Sequence, residues 1–335
     1  MKDMKAVVLN TSIPEKIEVK ELALPELGPK EVLIKVKAAA LNHRDEWCRQ
    51  GLYPGLKDGV TLGSDGAGII EKIGSQVDQE FLEKEVIINP AMNWGDDPIA
   101  QSKDFKILGM PDHGTLASYV KVKVDRVHDK PDHMTWEEAA ALPLGGVTAY
   151  RALMVQGELK SEDSVLVTGF GGGVAQFAAQ FAIAHGSAVY VSSSSESKLK
   201  KGQEIGAKGV FNYTDTSWTS KALEQTGGFD LIIDSAMGET LADLIKVIKP
   251  GGRIVFYGAT KGNPPQLDAR KVFWNQIRLI GSTMGSDADF EAMLAMVSKQ
   301  KIKPLVDKVY GMEDVVKAFD KMKMGEQMGK IVIKP

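Results

Sequence analysis

Six short apolar runs between residues 164 and 282 constrain this chain more than any other feature. They read SVLVT (164–168), SAVYVS (187–192), GVFNY (209–213), FDLIID (229–234), GRIVFYG (252–258) and IRLIGS (277–282), with helix-length stretches between them. Each run is β-branched and almost continuously apolar, as a strand must be when helices cover both faces of a parallel sheet. Six of them fit a doubly wound α/β sheet built from two similar halves.

The chain before residue 135 has a different texture. EVLIKVKAAAL (31–41) and GAGIIEKIG (66–74), with turns at Gly28-Pro29, Gly51 and Gly74, predict a β-rich domain. At TWEEAAALP, Thr135 and Glu138 have the spacing of a helix capping box. After the sixth apolar run come two helical stretches, DADFEAMLAMVSKQ and MEDVVKAFDKMKMG, and a final strand, GKIVIKP. The parallel sheet is already complete, so this end is expected to return to the first domain. The division expected is residues 1–125 with 286–335, and residues 126–285; a chain of 335 residues also exceeds what one hydrophobic core usually serves.

Charge and cysteine content exclude several classes. With 41 basic and 44 acidic residues and no basic stripe, nucleic acid is not an expected partner. The single cysteine, Cys48, forbids an internal disulfide or a thiolate zinc cluster and reads as a buried apolar residue. No segment reaches the roughly 18 to 20 apolar residues of a membrane span, and the first residues carry no export signature, so a cytoplasmic location is expected.

VLVTGFGGGVAQFAAQFA (165–182) places Gly169, Gly171, Gly172 and Gly173 between a buried strand and a helix starting near Val174. Glycines permit the tight turn and a close approach to pyrophosphate, and the helix N-terminus adds unpaired N–H groups and partial positive charge. This predicts a dinucleotide site, with Ala175 in the place of the last glycine. At the end of the second strand, where an acidic residue would bind a ribose, the chain has Ser192, Ser193 and Ser194. Serines do not repel a 2′-phosphate and Lys198, with Lys201 as a second choice, can approach one, so NADP(H) is the expected cofactor. Glu196 keeps NAD(H) open, and a solvated helix face is the other reading of Lys198.

LGSDGAGII (62–70), GTLASYV (114–120), PLGGVTAY (143–150), VLVTGFGGGVAQ (165–176), IGAKGVFNY (205–213) and GKIVIKP (329–335) follow one another as in the medium-chain dehydrogenase/reductase superfamily, which the chain resembles over its whole length. The resemblance implies a GroES-like substrate domain from both chain ends, a central Rossmann domain, an active site in the cleft between them, and a homodimer or homotetramer. In zinc-dependent members a cysteine stands at Asn42, a His-Glu pair at Ser64 and Asp65, and a further ligand near Leu144; residues 90–110 also lack the cysteines of a structural zinc lobe. A catalytic zinc needs three protein ligands, and the scattered His43, Asp45, Asp65 and His113 form no metal-binding spacing, so no metal is expected.

The chain is similar instead to the zinc-free quinone oxidoreductase branch, whose N-x-x-D and R-x-G-x-Y-P patterns appear as Asn42, Asp45, Arg49, Gly51, Tyr53 and Pro54. That likeness implies NADPH-dependent hydride transfer to quinones or α,β-unsaturated carbonyls, which needs placement and a hydrogen bond to the developing oxyanion. By position, Asn42 and Tyr53 are expected near the nicotinamide or the substrate oxygen, while Asp45 holds the loop or touches substrate. Thr148, at a helix start, would face the nicotinamide-side phosphate, Tyr213 the adenosine 2′-phosphate, and Tyr257 and Gly258 the cofactor beyond a strand's carboxyl end. Trp47 belongs to pocket or core, and Trp274 to a subunit interface or the cleft. The rival readings are an alcohol dehydrogenase or carbonyl reductase, and a non-catalytic NADPH-binding sensor.

Overall fold

Val165 lies opposite Val189 on one side and Leu231 on the other, all three strands running parallel. That register is the centre of a six-stranded sheet in the order Gly209–Asn212, Ala188–Ser193, Ser164–Val167, Phe229–Asp234, Ile248–Phe256, Arg278–Gly281. In chain order this is third, second, first, fourth, fifth, sixth, and the direction of winding reverses between Ser164–Val167 and Phe229–Asp234, where ligands of such sheets bind. The apolar runs are continuous because neither face is wet: Val165, Leu166, Val167, Ile232, Ile233 and Val255 have no exposed surface. Phe177 and Phe181 of the Gly173–His185 helix are fully buried as well, and Leu241, Leu244 and Ile245 join the core with Leu166, Phe229 and Ile254.

The computed structural model describes residues 3–335 and falls into two units, one ending at Gly145 and resuming at Ser286–Pro335, the other Gly146–Gly285. In the first unit a largely antiparallel sheet runs Val306–Gly311, Lys330–Lys334, Glu31–Ala40, Asp65–Ile73, Glu85–Ile88, Val127–Asp129, with Tyr119–Lys123 also paired to Glu31–Ala40. The final strand enters at Val332 opposite Ala40 and Ile333 opposite Ala39. This joins the last residues of the chain to the segment that leads into Asn42.

The expected boundary at residue 125 is displaced. Val127–Asp129 pairs with Glu85–Ile88, and the Trp136–Ala141 helix lies against Glu31–Ala40 and Asp65–Ile73, so residues 126–145 belong to the first unit. The shift to helical texture marks a change of secondary structure within one core, not the edge of the next. The capping box there is formed: Thr135 Oγ1 accepts from Glu138 N at 3.3 Å and Thr135 N donates to Glu138 Oε2 at 2.9 Å. Among the described residues no helix is long and apolar enough to cross a membrane.

Candidate active site

The glycine loop has the backbone that its composition demands. Gly169 and Gly171 adopt φ of 60° and 126°, values that side chains resist, before the helix begins at Gly173 with Val174 in its first turn. Gly172 is the N-cap and offers no side-chain acceptor, which leaves the first helical N–H groups for an anion. Ala175 is buried, consistent with a packing role at the last fingerprint position. A Cβ at Gly171 would stand 2.5 Å from Lys198 Cδ and 3.1 Å from its Nζ. The Lys198 side chain therefore lies over the loop.

Ser192 and Ser193 end the second strand and are buried, with Ser192 O accepting from Phe170 N of the loop at 2.8 Å. Ser194 is exposed and accepts from Tyr213 Oη at 3.1 Å. Glu196 accepts from Asn212 Nδ2 at 2.8 Å. A cation that sequence reasoning missed, Lys261, places Nζ 5.3 Å from the centre of the Tyr213 ring. No motif marks it, because it comes from a loop far along the chain from the serines. Tyr257 donates its backbone N–H to Asp234 O, and burial raises its phenol pKa above the usual tyrosine value. Gly258 follows so closely on Ser235 that a Cβ there would lie 3.2 Å from Ser235 O.

Thr148 does not stand at a helix start as expected. The helix is Pro143–Tyr150, so Thr148 sits near its end, buried, with Oγ1 4.0 Å from Met284 Sδ. Proline suits the first helical position, and it starts the helix five residues before Thr148.

In the first unit the candidate catalytic residues gather around the His43–Gln50 helix, for which Asn42 is the N-cap. Asp45 is wholly buried and accepts from Asn42 N at 2.8 Å and Gly63 N at 3.2 Å, so in this structure it holds two loops together. Burial raises its pKa above the ordinary carboxylate value, against the pull of Arg44 and the Asn42 N–H. Tyr53 is half-buried; its hydroxyl accepts from Arg44 Nε at 3.3 Å and its ring lies 4.7 Å from the Arg44 guanidinium carbon. Arg49 turns elsewhere, to Glu46 at 2.7 Å and Asp320 at 2.8 Å. Trp47 is half-buried, 6.3 Å ring to ring from His43. Surrounding protein, and then the nearby Lys330 charge, lower the His43 pKa below that of a free imidazole.

The positions read as vacated metal ligands have other commitments. Lys330 Nζ donates to Asn42 Oδ1 at 2.6 Å and to Asp65 Oδ2 at 2.8 Å, while Asn42 Nδ2 donates to the same Asp65 oxygen at 2.9 Å. Asp65 Oδ1 accepts from Leu144 N at 2.8 Å. Ser64 Oγ accepts from Arg44 Nη1 at 2.6 Å and donates to Leu108 O at 2.9 Å. Asp65 has no exposed surface and Lys330 only 2%. His113 is bound instead to Thr61. Among the described residues no group of three His, Cys, Asp or Glu side chains could hold a metal ion. Lys330 was invisible as a site residue because only the pairing of Val332 with Ala40 carries it there.

Residues 28–132 match the family model of the alcohol dehydrogenase GroES-like domain and residues 173–299 that of the zinc-binding dehydrogenases. A zinc-type alcohol dehydrogenase-like protein of Leptosphaeria maculans is 38% identical over 95% of this chain and 94% of its own length. A crotonyl-CoA reductase of Streptomyces avermitilis is 28% identical over 94% of this chain and 81% of its own. The crystal structure of an NAD-dependent alcohol dehydrogenase superposes with a TM-score of 0.94 at 34% identity, covering 99% of both chains. The zinc implied by such names does not fit the residues present, since an ammonium, an amide and a hydroxyl occupy the cluster and only Asp65 is a ligand of the required kind.

Proposed function

The chain belongs to the medium-chain dehydrogenase/reductase superfamily and is an oxidoreductase, and on that premise we propose that it reduces quinones or α,β-unsaturated carbonyls with NADPH and without a metal. The observation that carries this reading is the closed set Asn42–Asp65–Lys330, in which the ammonium holds the oxygens that would otherwise face a cation. Dehydrogenating a simple alcohol requires an activated alkoxide, which a Lewis acid or a positioned general base supplies. Adding hydride to an enone requires only a donor for the oxygen that becomes negative, with the carbon already electron-poor.

The nicotinamide cofactor, when bound, supplies the hydride. The Gly169–Gly173 loop and the helix N-terminus suit its pyrophosphate, and Lys198, Lys261 and Tyr213 around Ser194 suit a 2′-phosphate. On an enone the hydride would join the β-carbon, negative charge would develop on the carbonyl oxygen, and a solvent proton would be taken up at the α-carbon. Asn42 retains one side-chain N–H without an acceptor among the described residues, and it is our donor to that oxygen. The crotonyl-CoA reductase relative supports the enone class. Trp274 (79% exposed) and Phe273 (68%) next to the edge strand Arg278–Gly281 support a homo-oligomer joined at that edge.

The NAD-dependent alcohol dehydrogenase similarity favours a second reading, oxidation of alcohols. The deciding experiment is NADPH oxidation by chelator-treated protein with a quinone, an enal and a saturated aldehyde, and NADP⁺ reduction with a primary alcohol. Turnover of the quinone or enal alone is expected. Activity confined to aldehyde and alcohol, or activity lost on chelation and restored by zinc, would overturn the proposal, and tight NADPH binding with no turnover would point to a sensor.

A further inference from the structure

Lys330 is the least expected member of the first unit's buried cluster. A lysine ammonium has three N–H donors and no acceptor, and a carboxylate has acceptors only. Asn42 lies between one of each. Its carbonyl oxygen must face Lys330, because an NH₂ group there would oppose donor to donor, and its NH₂ must face Asp65 for the converse reason. The two charges favour one amide orientation, and the capping box, which sets the same oxygen toward the Asp45 backbone N–H, agrees with it. One N–H of Asn42 goes to Asp65 and the other has no acceptor among the described residues, on a residue that still reaches the surface at 8% exposure.

We propose that Lys330 is the positioning residue of this active site, an internal cation that locks the Asn42 amide so that its remaining N–H points as a donor toward the substrate oxygen. The assignment rests on the reading of Asn42 as that donor. The Lys330 charge acts one residue back from the substrate, through the Asn42 amide. Lys330 is too deeply buried to touch a ligand, so its effect must pass through Asn42. The strand pairing that places it also explains why the lysine needs no loop of its own: Lys330 N is tied to Leu305 O at 2.8 Å and the next residues lie in the sheet.

Lys330→Met alone leaves the Asp65 carboxylate buried without its cation and endangers folding. The test therefore adds Lys330→Met/Asp65→Asn, which removes both charges and with them the electrostatic preference for one amide orientation. The Asn42 side-chain amide is followed by ¹⁵N NMR, its signal identified by its loss in Asn42→Ala. Expected is a slowly exchanging amide in the wild type that exchanges at least about tenfold faster in the double variant, a loss of at least ~1.4 kcal/mol of protection. In the same variant kcat for the enal should fall by about 10²-fold, the usual effect of losing one oxyanion donor, with NADPH affinity unchanged. An unaltered amide exchange rate, or an unaltered kcat in a folded double variant, overturns the proposal. If the wild type turns over neither enal nor quinone, the functional reading fails, and the amide measurement alone decides the role of Lys330.

Discussion

The Glu196 carboxylate, at the start of the helix that follows the Ala188–Ser193 strand, accepts a hydrogen bond from Asn212 at the end of the neighbouring strand, at 2.8 Å. The acidic group that would otherwise suit an unphosphorylated ribose is thus already engaged, while Lys198 and Lys261 approach the same region. NADPH should bind more tightly than NADH. Lys198→Glu should weaken NADPH about tenfold or more, as expected for losing one hydrogen bond to a charged group, and leave NADH nearly unchanged. Asn212→Ala should release Glu196 and improve NADH binding. Fluorescence titration of both cofactors measures these changes, and equal affinities in the wild type would refute the preference.

The loop should be intolerant at one glycine and tolerant at its neighbour. Gly171→Ala imposes a side chain on φ of 126° and drives Cβ to 2.5 Å from Lys198 Cδ. A strained residue of this kind costs about 1 to 3 kcal/mol, and Lys198 must also leave the loop, so cofactor affinity and thermal midpoint should both drop. Gly172→Ala meets nothing closer than 3.6 Å among the described residues and keeps an ordinary φ of −75°, so its thermal midpoint should stay near the wild type. Equal thermal losses in the two variants would contradict this account.

Arg253 and Asp163 form a buried ion pair at 2.7 Å, and the guanidinium also donates to the carbonyls of Gly157 and Glu158. Removing one partner of such a pair strands a charge and costs about 3 to 5 kcal/mol. Asp163→Ala should lower the urea midpoint accordingly. Asp163→Ala/Arg253→Met should recover part of the loss, since the uncompensated charge is gone. A double variant less stable than the single would show that the carbonyl contacts dominate.

Cys48 should behave as a buried thiol. Burial, then the Asp45 charge, pushes its pKa up to about 12, so thiol reagents at pH 8 should leave the native protein unmodified and react only after denaturation. The unfolded thiol loses its proton first as pH rises past its ordinary value of 9.0. Between that pH and about 12 the native state holds the extra proton and stability falls with rising pH. Cys48→Ala should flatten this part of the curve. Stability profiles that coincide above pH 9 would disprove the assignment.

The sequence by itself determined the doubly wound sheet, because a strand buried on both faces must be apolar throughout, and Val165, Leu231 and Ile254 announce this without reference to any partner. It also determined the glycine loop, since Gly169 and Gly171 are needed by their local backbone, and the capping box at Thr135. Such features depend on neighbours a few residues away. The extent of the first unit, the position of Thr148 within its helix, and the approach of Lys261 to Tyr213 were decided only in three dimensions. Above all, Asn42, Asp65 and Lys330 are separated by 23 and 265 residues along the chain and meet through sheet pairing. Sequence could show that the metal-ligand types were missing at Asn42 and Ser64; only the tertiary structure placed a lysine ammonium against the remaining oxygens, because long-range strand register has no local signature.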